Sequence, residues 1–244
     1  SLLQIENEFY GTIRPKRTVR TGERPLHALR ERGVEYVEVR LMDLDPFVPV
    51  GITAPTMRLL DVFLLHCLLS DSPPDTPQEI TELAHNQHRT AASGREPGLR
   101  LERAGREIPL VEWGAELLEA FGPIAAALDA AHNTTDYSDA VRNAESGLHD
   151  PSSLPSARVL AAMAAEHENS FVRFVREQSL QTQKNLLSLP FTDAQQAYFA
   201  DLTQKSIADQ KAIEAADTMP FEQYREQYVS PRRLGIPTAV AQTA

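Results

Sequence analysis

The sequence predicts an α+β chain in which a short strand-forming region precedes a long, mainly helical one. Within residues 1–50, polar and apolar side chains alternate with a period of two, which is typical of strands that bury one face. Later segments repeat their apolar residues at helical spacing, with prolines and glycines at the expected ends. We therefore expect strands in residues 1–52, a helical region in residues 53–230 and an extended or mobile tail in residues 231–244.

Two segments of the first region alternate regularly enough to predict strands. Residues 3–10 place Leu, Ile and Phe on one side and Glu, Gln and Tyr on the other. Residues 34–41 place two valines and a leucine opposite Tyr36, Glu38 and Arg40. Each strand should therefore have one apolar face and one face rich in ionisable groups.

The segments that flank the second strand are predicted to be irregular. The basic stretch between the strands contains a Thr-Gly turn and a short helix over residues 25–32 that Gly33 ends. Residues 41–52, LMDLDPFVPVGI, alternate hydrophobic residues with prolines, which disfavours both a helix and a central strand. We expect them to form a loop that leads out of the sheet.

The remaining segments predict helices, and strands are expected only in the first fifth of the chain. The first helix is apolar nearly all round, which predicts a core position. No glycine-rich phosphate loop is present. The predicted helices span residues 53–69, 77–93, 110–131, 136–147, 156–187 with a possible break near Glu166, 193–216 and 220–228.

Composition limits the classes of partner. A net charge of -10 and a pI near 5.2 argue against a general nucleic-acid-binding or anionic-membrane surface, since both need clustered Lys and Arg. The single cysteine, Cys67, cannot form an internal disulfide, which fits a reducing cytoplasm, and its apolar surroundings predict a small buried hydrophobe. No apolar run reaches membrane-spanning length and no leader precedes the strands, so we expect a soluble cytoplasmic protein. The start without Met, directly in strand-like sequence, suggests a fragment.

Glu38 and Arg40 form the densest chemical feature. Two residues apart on a strand, they share one face at a spacing of about 6.6 to 6.8 Å. The carboxylate suits a magnesium ion that keeps waters and nucleotide phosphates as its other ligands, and the guanidinium can grip phosphate oxygens. A cross-strand ion pair on a solvated sheet explains the same two residues.

Weaker features allow both functional and structural interpretations. The acidic residues around Tyr10, together with the basic run from Arg14 to Arg17, suit a metal-nucleotide site or a charged edge that protects a sheet. His85 and His88 share a helix face, but no third metal ligand is spaced to join them, so a solvated face is favoured. Near the end of the same helix, structural hydrogen bonds and ligand contacts are equally good interpretations of Asn86, Arg89 and Arg95. Residues 166–168 predict a solvated turn.

Five stretches resemble the carboxy-terminal half of the proteobacterial glutamate–cysteine ligases, also called γ-glutamylcysteine synthetases. The first two stretches are long and specific, and the resemblance runs in the family's order from residue 3 to about residue 221. The stretches are LQIENEFYGTIRPKR, GVEYVEVRLMDLDPFVPVGI, MRLLDVFLLHCLLSDSP, GREPGL and AADTMPF.

The resemblance implies a glutamine-synthetase-like fold, in which a curved antiparallel sheet forms a bowl for substrates and metals and is surrounded by helices. It also implies an ATP-dependent reaction. ATP phosphorylates the γ-carboxylate of L-glutamate, and the amine of L-cysteine then displaces phosphate, which is the first step of glutathione biosynthesis. The implied cofactor is Mg2+, with Mn2+ as an alternative.

The resemblance also implies roles for individual residues. Glu38 matches a carboxylate that holds active-site magnesium, and Arg40 matches an arginine that faces the transferred phosphate. Tyr10 matches a tyrosine that lines the cysteine pocket. The nucleotide-proximal basic run comprises Arg14, Lys16 and Arg17.

One departure from the family limits these implications. Most of the family's other magnesium carboxylates, and much of its glutamate and cysteine site, come from sequence that precedes residue 1 here. The chain is therefore expected to need that amino-terminal portion as a partner and to be inactive alone. Two alternatives stay open: a non-catalytic binding or regulatory module of the same fold, and a related carboxylate–amine ligase with another amino acceptor.

Overall fold

The structure, a computed structural model, describes residues 12–20, 22–40 and 42–230. Its strands are Ile13–Lys16 (β1), Tyr36–Val39 (β2), Arg100–Arg103 (β3) and Arg106–Pro109 (β4). Its helices are Pro25–Arg32 (α1), Ala54–Leu69 (α2), Pro77–Ser93 (α3), Leu110–His132 (α4), Asp136–His149 (α5), Pro155–Glu166 (α6), Phe171–Leu187 (α7), Asp193–Ala216 (α8) and Phe221–Tyr228 (α9). The expected α+β class is confirmed.

The chain forms two compact units. The first unit joins Ser1–Asp43 to Leu189–Ala244, and the second unit is Leu44–Ser188. The first unit therefore contains β1, α1, β2, α8 and α9, although α8 and α9 are the last helices of the chain. The second unit contains the remaining helices and the β3–β4 pair.

The first unit has little buried surface of its own. Among its described residues only Arg24 and Ala28 are buried. The Arg24 guanidinium lies over the Tyr228 ring, 5.0 Å from its centroid, and donates a hydrogen bond to the Tyr228 carbonyl oxygen at 3.1 Å. This contact ties α9 to the start of α1, which ends at Gly33 as expected.

The strands of the first unit lie partly where the sequence predicts them. The second predicted strand is confirmed in its centre as β2. The first predicted strand, residues 3–10, lies outside the described residues, as does the predicted tail. Instead β1 lies in the basic stretch, for which the sequence predicted a turn and a short helix but no strand. Among the described residues β1 pairs with β2 alone, and proline is compatible with such an edge position.

The second unit is built on the packing of α2, α4 and α5. Val62 on α2, Phe121 and Ala125 on α4 and Val141 on α5 form its buried core. Burial of this apolar surface supplies the main favourable free energy of folding for the unit. The break that we expected near residue 166 is confirmed between α6 and α7.

Helix α2 contributes to the core as predicted, but its apolar residues are not covered on every side. Val62 is its one fully buried residue, whereas Leu68 is 77% exposed and Cys67 is exposed as well. The expectation of a small buried cysteine is therefore wrong. The periodicity of α2 shows how many faces are apolar, but only the neighbouring elements decide which of them is covered.

A second antiparallel pair, β3–β4, corrects the expectation that strands occur only in the first fifth of the chain. The two strands are four residues each and pair Leu101 with Ile108 at their centre. Ala104 and Gly105 form the turn with φ values of 52° and 75°. Such short strands, rich in Arg and Glu, carry too weak an alternation to be predicted.

The junction of α6 and α7 is solvated only in part: Glu166 and Glu168 are exposed as predicted, but His167 between them is buried, which corrects the prediction for that residue. His167 is only 4% exposed, and its ring lies 5.5 Å from the ring of Phe174, which is fully buried. Phe47, from the loop after β2, packs on the same Phe174 ring at 5.7 Å. Arg158 lies over Phe47 at 4.1 Å from the ring centroid, so the loop is anchored on these helices.

Within the described residues, no helix combines the length and the apolar character that a bilayer crossing needs.

Candidate functional site

The candidate site is one face of the β1–β2 pair. The strands are antiparallel, with Arg14 opposite Glu38 and Lys16 opposite Tyr36. The amide of Arg40 extends the ladder by donating to the Thr12 carbonyl oxygen at 2.7 Å. Opposed residues of an antiparallel pair, and residues two positions apart, lie on the same face. The face therefore gathers five side chains, here called the polar face: Arg14, Lys16, Tyr36, Glu38 and Arg40.

Glu38 lies at the centre of the polar face and forms two ion pairs. Its Oε2 atom lies 3.0 Å from Lys16 Nζ, and its Oε1 atom accepts a hydrogen bond from Arg40 Nη1 at 3.1 Å. All three side chains are between one third and one half exposed. The site is therefore accessible to ligands, and salt and solvent weaken its ion pairs.

These cations change the acidity of Glu38. The hydrogen bond from Lys16 lowers the pKa of the carboxyl below its ordinary value, and the charges of Lys16, Arg40 and Arg14 lower it further. Partial desolvation opposes them without reversing the direction. Glu38 is therefore an anion at neutral pH. Among the described side chains of the polar face, three cations accompany one carboxylate, an arrangement that suits a polyanionic ligand.

Arg17, the last of the basic residues singled out from the sequence, lies with a different partner. Its Nε atom lies 3.5 Å from Glu35 Oε2, and the same carboxylate accepts a hydrogen bond from the Thr18 amide at 2.9 Å. That backbone hydrogen bond is the largest cause of a lowered pKa for Glu35. The structure thus brings Arg14, Lys16, Glu38 and Arg40 together and places Arg17 against Glu35. Tyr10 lies outside the described residues.

The polar face fits a divalent metal only in part. Among the described residues no three His, Cys, Asp or Glu side chains converge as a metal site. Within the polar face Glu38 is the one acid, and Mg2+ is usually held by one or two carboxylates together with substrate phosphates. Glu38 can therefore contribute one oxygen ligand, and further ligands must come from the substrate or from other polypeptide.

The polar residues of α3 form a second cluster, whose contacts are structural. Asn86 clamps the backbone of Glu102, since its Nδ2 donates to the carbonyl oxygen and its Oδ1 accepts from the amide, both at 2.7 Å. Arg89 pairs with the Glu102 side chain at 2.7 Å. His85 contacts the same carboxylate at 3.2 Å. These side chains fasten the β3–β4 hairpin to α3 and leave no converging ligand set.

Glu82 completes this cluster by holding the hairpin turn. Its carboxylate accepts hydrogen bonds from the amides of Ala104 at 3.0 Å and Gly105 at 2.8 Å. A hydrogen bond from Gln78 is the largest cause of its lowered pKa, and the Gly105 and Ala104 amides add to it. The positive φ values of Ala104 and Gly105 bring their two amides to the same side of the turn, where both donate to Glu82. The Glu82 carboxylate therefore stabilises this turn conformation.

Sequence reasoning missed that Lys16 neutralises Glu38. The first strand was predicted over residues 3–10, so no predicted register placed Lys16 across from β2. The available indication was the alternation of Arg14 and Lys16 with Ile13 and Pro15, which continues the period of two.

A family model described as glutamate-cysteine ligase matches residues 1–90 of the chain. The chain is 43% identical over 228 residues to glutamate–cysteine ligases of Janthinobacterium sp. (strain Marseille) and Pseudomonas fluorescens (strain Pf0-1). Each match covers 93% of this chain and 43% of the relative, so the chain spans less than half the length of these relatives.

A solved structure has the same fold. The crystal structure of a glutamate–cysteine ligase from Francisella tularensis in complex with AMP superposes with a TM-score of 0.84 at 32% identity. It covers 95% of this chain, which corresponds to 45% of the Francisella chain.

Proposed function

Because the chain belongs to the glutamate–cysteine ligase family and spans 43% of the length of its relatives, we propose that it forms part of an ATP-dependent ligase. The proposed enzyme joins the γ-carboxyl group of L-glutamate to the amine of L-cysteine. The polypeptide that makes up the rest of the relatives' length is its necessary partner. The observation that carries this proposal is the polar face, with its central carboxylate and three cations.

The reaction explains why such a face is needed. The γ-carboxylate oxygen attacks the γ-phosphorus of ATP and ADP leaves; the cysteine nitrogen then attacks the acyl carbon, phosphate leaves and the nitrogen loses a proton. The first step brings an anionic carboxylate to a triphosphate, and the two repel each other. Positive charge that is already in place lowers this barrier, because little reorganisation is needed during reaction.

We assign the transferred phosphoryl group to Arg40. Its guanidinium is held on the polar face by Glu38 and remains 44% exposed, so one edge of it can donate to phosphate oxygens. A lysine at this position would offer a point charge in place of the planar fork. Arg40 is thus the proposed catalytic residue.

Lys16 and Arg14 are assigned to the nucleotide phosphates, since both reach the same face from β1. Arg17 follows them in the chain and completes the proposed basic run, although Glu35 is its partner here. Tyr10 remains the residue proposed to line the cysteine pocket. The AMP complex of the Francisella relative supports an adenine nucleotide as the ligand.

Glu38 is the residue that would hold Mg2+, or Mn2+, which prefers the same oxygen ligands. When bound, the ion neutralises charge between the carboxylate substrate and the triphosphate. In this structure each carboxylate oxygen of Glu38 forms an ion pair, one with Lys16 and the other with Arg40. Phosphate oxygens compete for both cations, so we propose that nucleotide binding draws them away and frees the carboxylate.

The proposal is tested with a chimeric ligase in which this chain replaces the matching 228 residues of the Janthinobacterium relative. We expect the chimeric ligase to release ADP only when both glutamate and cysteine are present. A folded chimera that releases no ADP with both substrates contradicts the proposal. ADP release with glutamate and a different amine, but not with cysteine, would instead identify a related carboxylate–amine ligase.

The same chimera tests the alternative of a non-catalytic module. If the polar face has no part in catalysis, Glu38→Ala and Arg40→Ala leave turnover intact in the folded chimera. If the proposal holds, both variants lose turnover.

A further inference from the structure

The backbone of Thr18 is held by two side chains. Its amide donates a hydrogen bond to Glu35 Oε2 at 2.9 Å, and its carbonyl oxygen accepts one from Arg32 Nη2, also at 2.9 Å. Both partners come from the far end of the connection between the strands, since Arg32 is the last residue of α1 and Glu35 immediately precedes β2. These two contacts, here called the Thr18 clamp, close the connection where the chain leaves β1.

The Thr18 clamp begins where the strand ladder ends. At this end of the sheet the Glu35 amide donates to the Lys16 carbonyl oxygen at 2.8 Å. In a continued antiparallel ladder Thr18 would pair with Val34, but its amide bonds the Glu35 side chain instead. The end of a strand frays readily when only ladder hydrogen bonds hold it. The clamp therefore keeps Lys16, the last residue of β1, in register.

Arg32 is itself fixed by a second acid. Its Nη2 atom also pairs with Glu23 Oε2, and the same oxygen accepts a hydrogen bond from the Arg20 amide at 2.9 Å. The Arg32 and Glu23 side chains are only 20% and 16% exposed, so solvent screens their charges less than in a fully exposed pair. Glu23 lies before α1 and Arg32 ends it. The pair therefore spans the helix and holds the guanidinium beside Thr18.

We propose that Glu35 and Arg32 are positioning residues of the ligase, which hold Lys16 in place for the nucleotide phosphates through the Thr18 clamp. This inference rests on the proposed function, which assigns Lys16 to those phosphates. Neither Glu35 nor Arg32 belongs to the polar face, so both act through the backbone and not by contact with the nucleotide. A lysine that is already held in place loses less freedom when it binds phosphate, which strengthens binding of the nucleotide.

Steady-state kinetics of the chimeric ligase test this role. We expect Glu35→Ala to raise the KM for ATP by about fivefold or more and to leave kcat within about twofold, because Lys16 contributes to nucleotide binding. A variant that only destabilises the fold reduces the amount of active enzyme, so it lowers kcat and leaves KM unchanged. The direction also excludes a simple charge effect, since removal of an acid beside the basic run would by itself favour ATP and lower its KM.

Further variants separate the clamp from its surroundings. Arg32→Met removes the other half of the clamp and should also raise the KM for ATP. Glu35→Gln keeps an oxygen that can accept from the Thr18 amide, so its KM should lie between those of the parent and Glu35→Ala. Two exposed residues of α1 provide matched controls, because Glu31→Ala removes one acid and Arg30→Met removes one arginine. Both controls should keep the KM for ATP within about twofold of the parent.

A second readout does not require an active enzyme. Loosening of Lys16 weakens the hydrogen bond that is the largest cause of the lowered Glu38 pKa. In this chain alone, Glu35→Ala should therefore raise the midpoint of the Glu38 titration followed by NMR. The loss of a neighbouring negative charge would by itself move that midpoint down. Glu31→Ala should not raise it.

Three results overturn the inference: an unchanged KM for ATP in Glu35→Ala, a rise in KM that is equally large in the two controls, and a Glu38 midpoint that stays in place or falls. The two readouts also separate this inference from the proposed function. A chimera that is inactive before any substitution overturns the proposed function, and the Glu38 midpoint then decides whether the clamp holds Lys16. An active chimera in which Glu35→Ala changes neither KM nor the midpoint overturns the clamp alone.

Discussion

Lys16 Nζ lies 3.0 Å from Glu38 Oε2, so the carboxylate proposed to hold a divalent ion is neutralised by the neighbouring strand. Arg40 takes the other oxygen of the same carboxylate. Its two ion pairs hold Lys16 and Arg40 on the same face of the sheet.

Replacement of Lys16 by methionine should raise the pKa of Glu38, because the Lys16 hydrogen bond is the largest cause of its lowering. A depressed pKa means that the ion pairs stabilise the folded chain above about pH 4.5 and lose this effect as pH falls through the folded value. Carboxyl resonances followed by NMR against pH measure the shift. Lys184→Met, on α7 in the other unit, should leave the Glu38 midpoint in place. An unchanged midpoint in Lys16→Met contradicts the assignment.

Replacement of Arg40 by alanine in the chimeric ligase should lower kcat/KM by roughly 100- to 1000-fold, about 3 to 4 kcal/mol, if it stabilises the transferred phosphoryl group. Arg40→Lys should recover part of this loss, because it restores the charge without the planar fork. Steady-state kinetics with ATP, glutamate and cysteine provide the measurement. Arg106→Ala, at an exposed position on β4, is the matched control and should retain the parent kinetics.

Glu82 should control the pH stability of the β3–β4 hairpin. Hydrogen bonds from Gln78, Gly105 and Ala104 lower its pKa, so the carboxylate holds the turn above about pH 4.5 and releases it as pH falls through the lowered value. Amide exchange at Gly105 should therefore accelerate on acidification. In Glu82→Gln it should be fast at neutral pH already and should lack this transition. Glu79→Gln, on the first turn of the same helix, should behave as the parent chain.

Phe174 should be essential for the second unit, whereas Val172 on the same helix should not. Phe174 is fully buried and its ring contacts Phe47 and His167, so Phe174→Ala leaves a cavity and should lower the free energy of unfolding by about 3 to 5 kcal/mol. Val172 is 76% exposed, and Val172→Ala should stay within about 0.5 kcal/mol. Urea unfolding followed by the fluorescence of Trp113, the single tryptophan, measures both. If Phe174→Ala and Val172→Ala lower the free energy of unfolding equally, burial of Phe174 does not stabilise the second unit as proposed.

The sequence determined the helices of this protein well, because their boundaries are chemically explicit. Thr76 followed by Pro77 fixes the start of α3, and Thr192 with its capping box fixes the start of α8. The sequence also determined that Glu38 and Arg40 share a face, since a period of two is a property of any strand. Local stereochemistry was sufficient for these features.

Which residues those elements face depends on contacts between distant parts of the chain. Cross-strand register brought Lys16 onto Glu38, and packing of Phe47 and Phe174 buried His167 in what the sequence predicts as a solvated turn. Helix α2 is a further example: its sequence is apolar on nearly every side, and this pattern does not predict that Leu68 is exposed. Propensity and capping act over a few neighbouring residues, whereas register and burial depend on residues far away in the chain, and a linear pattern does not contain their positions.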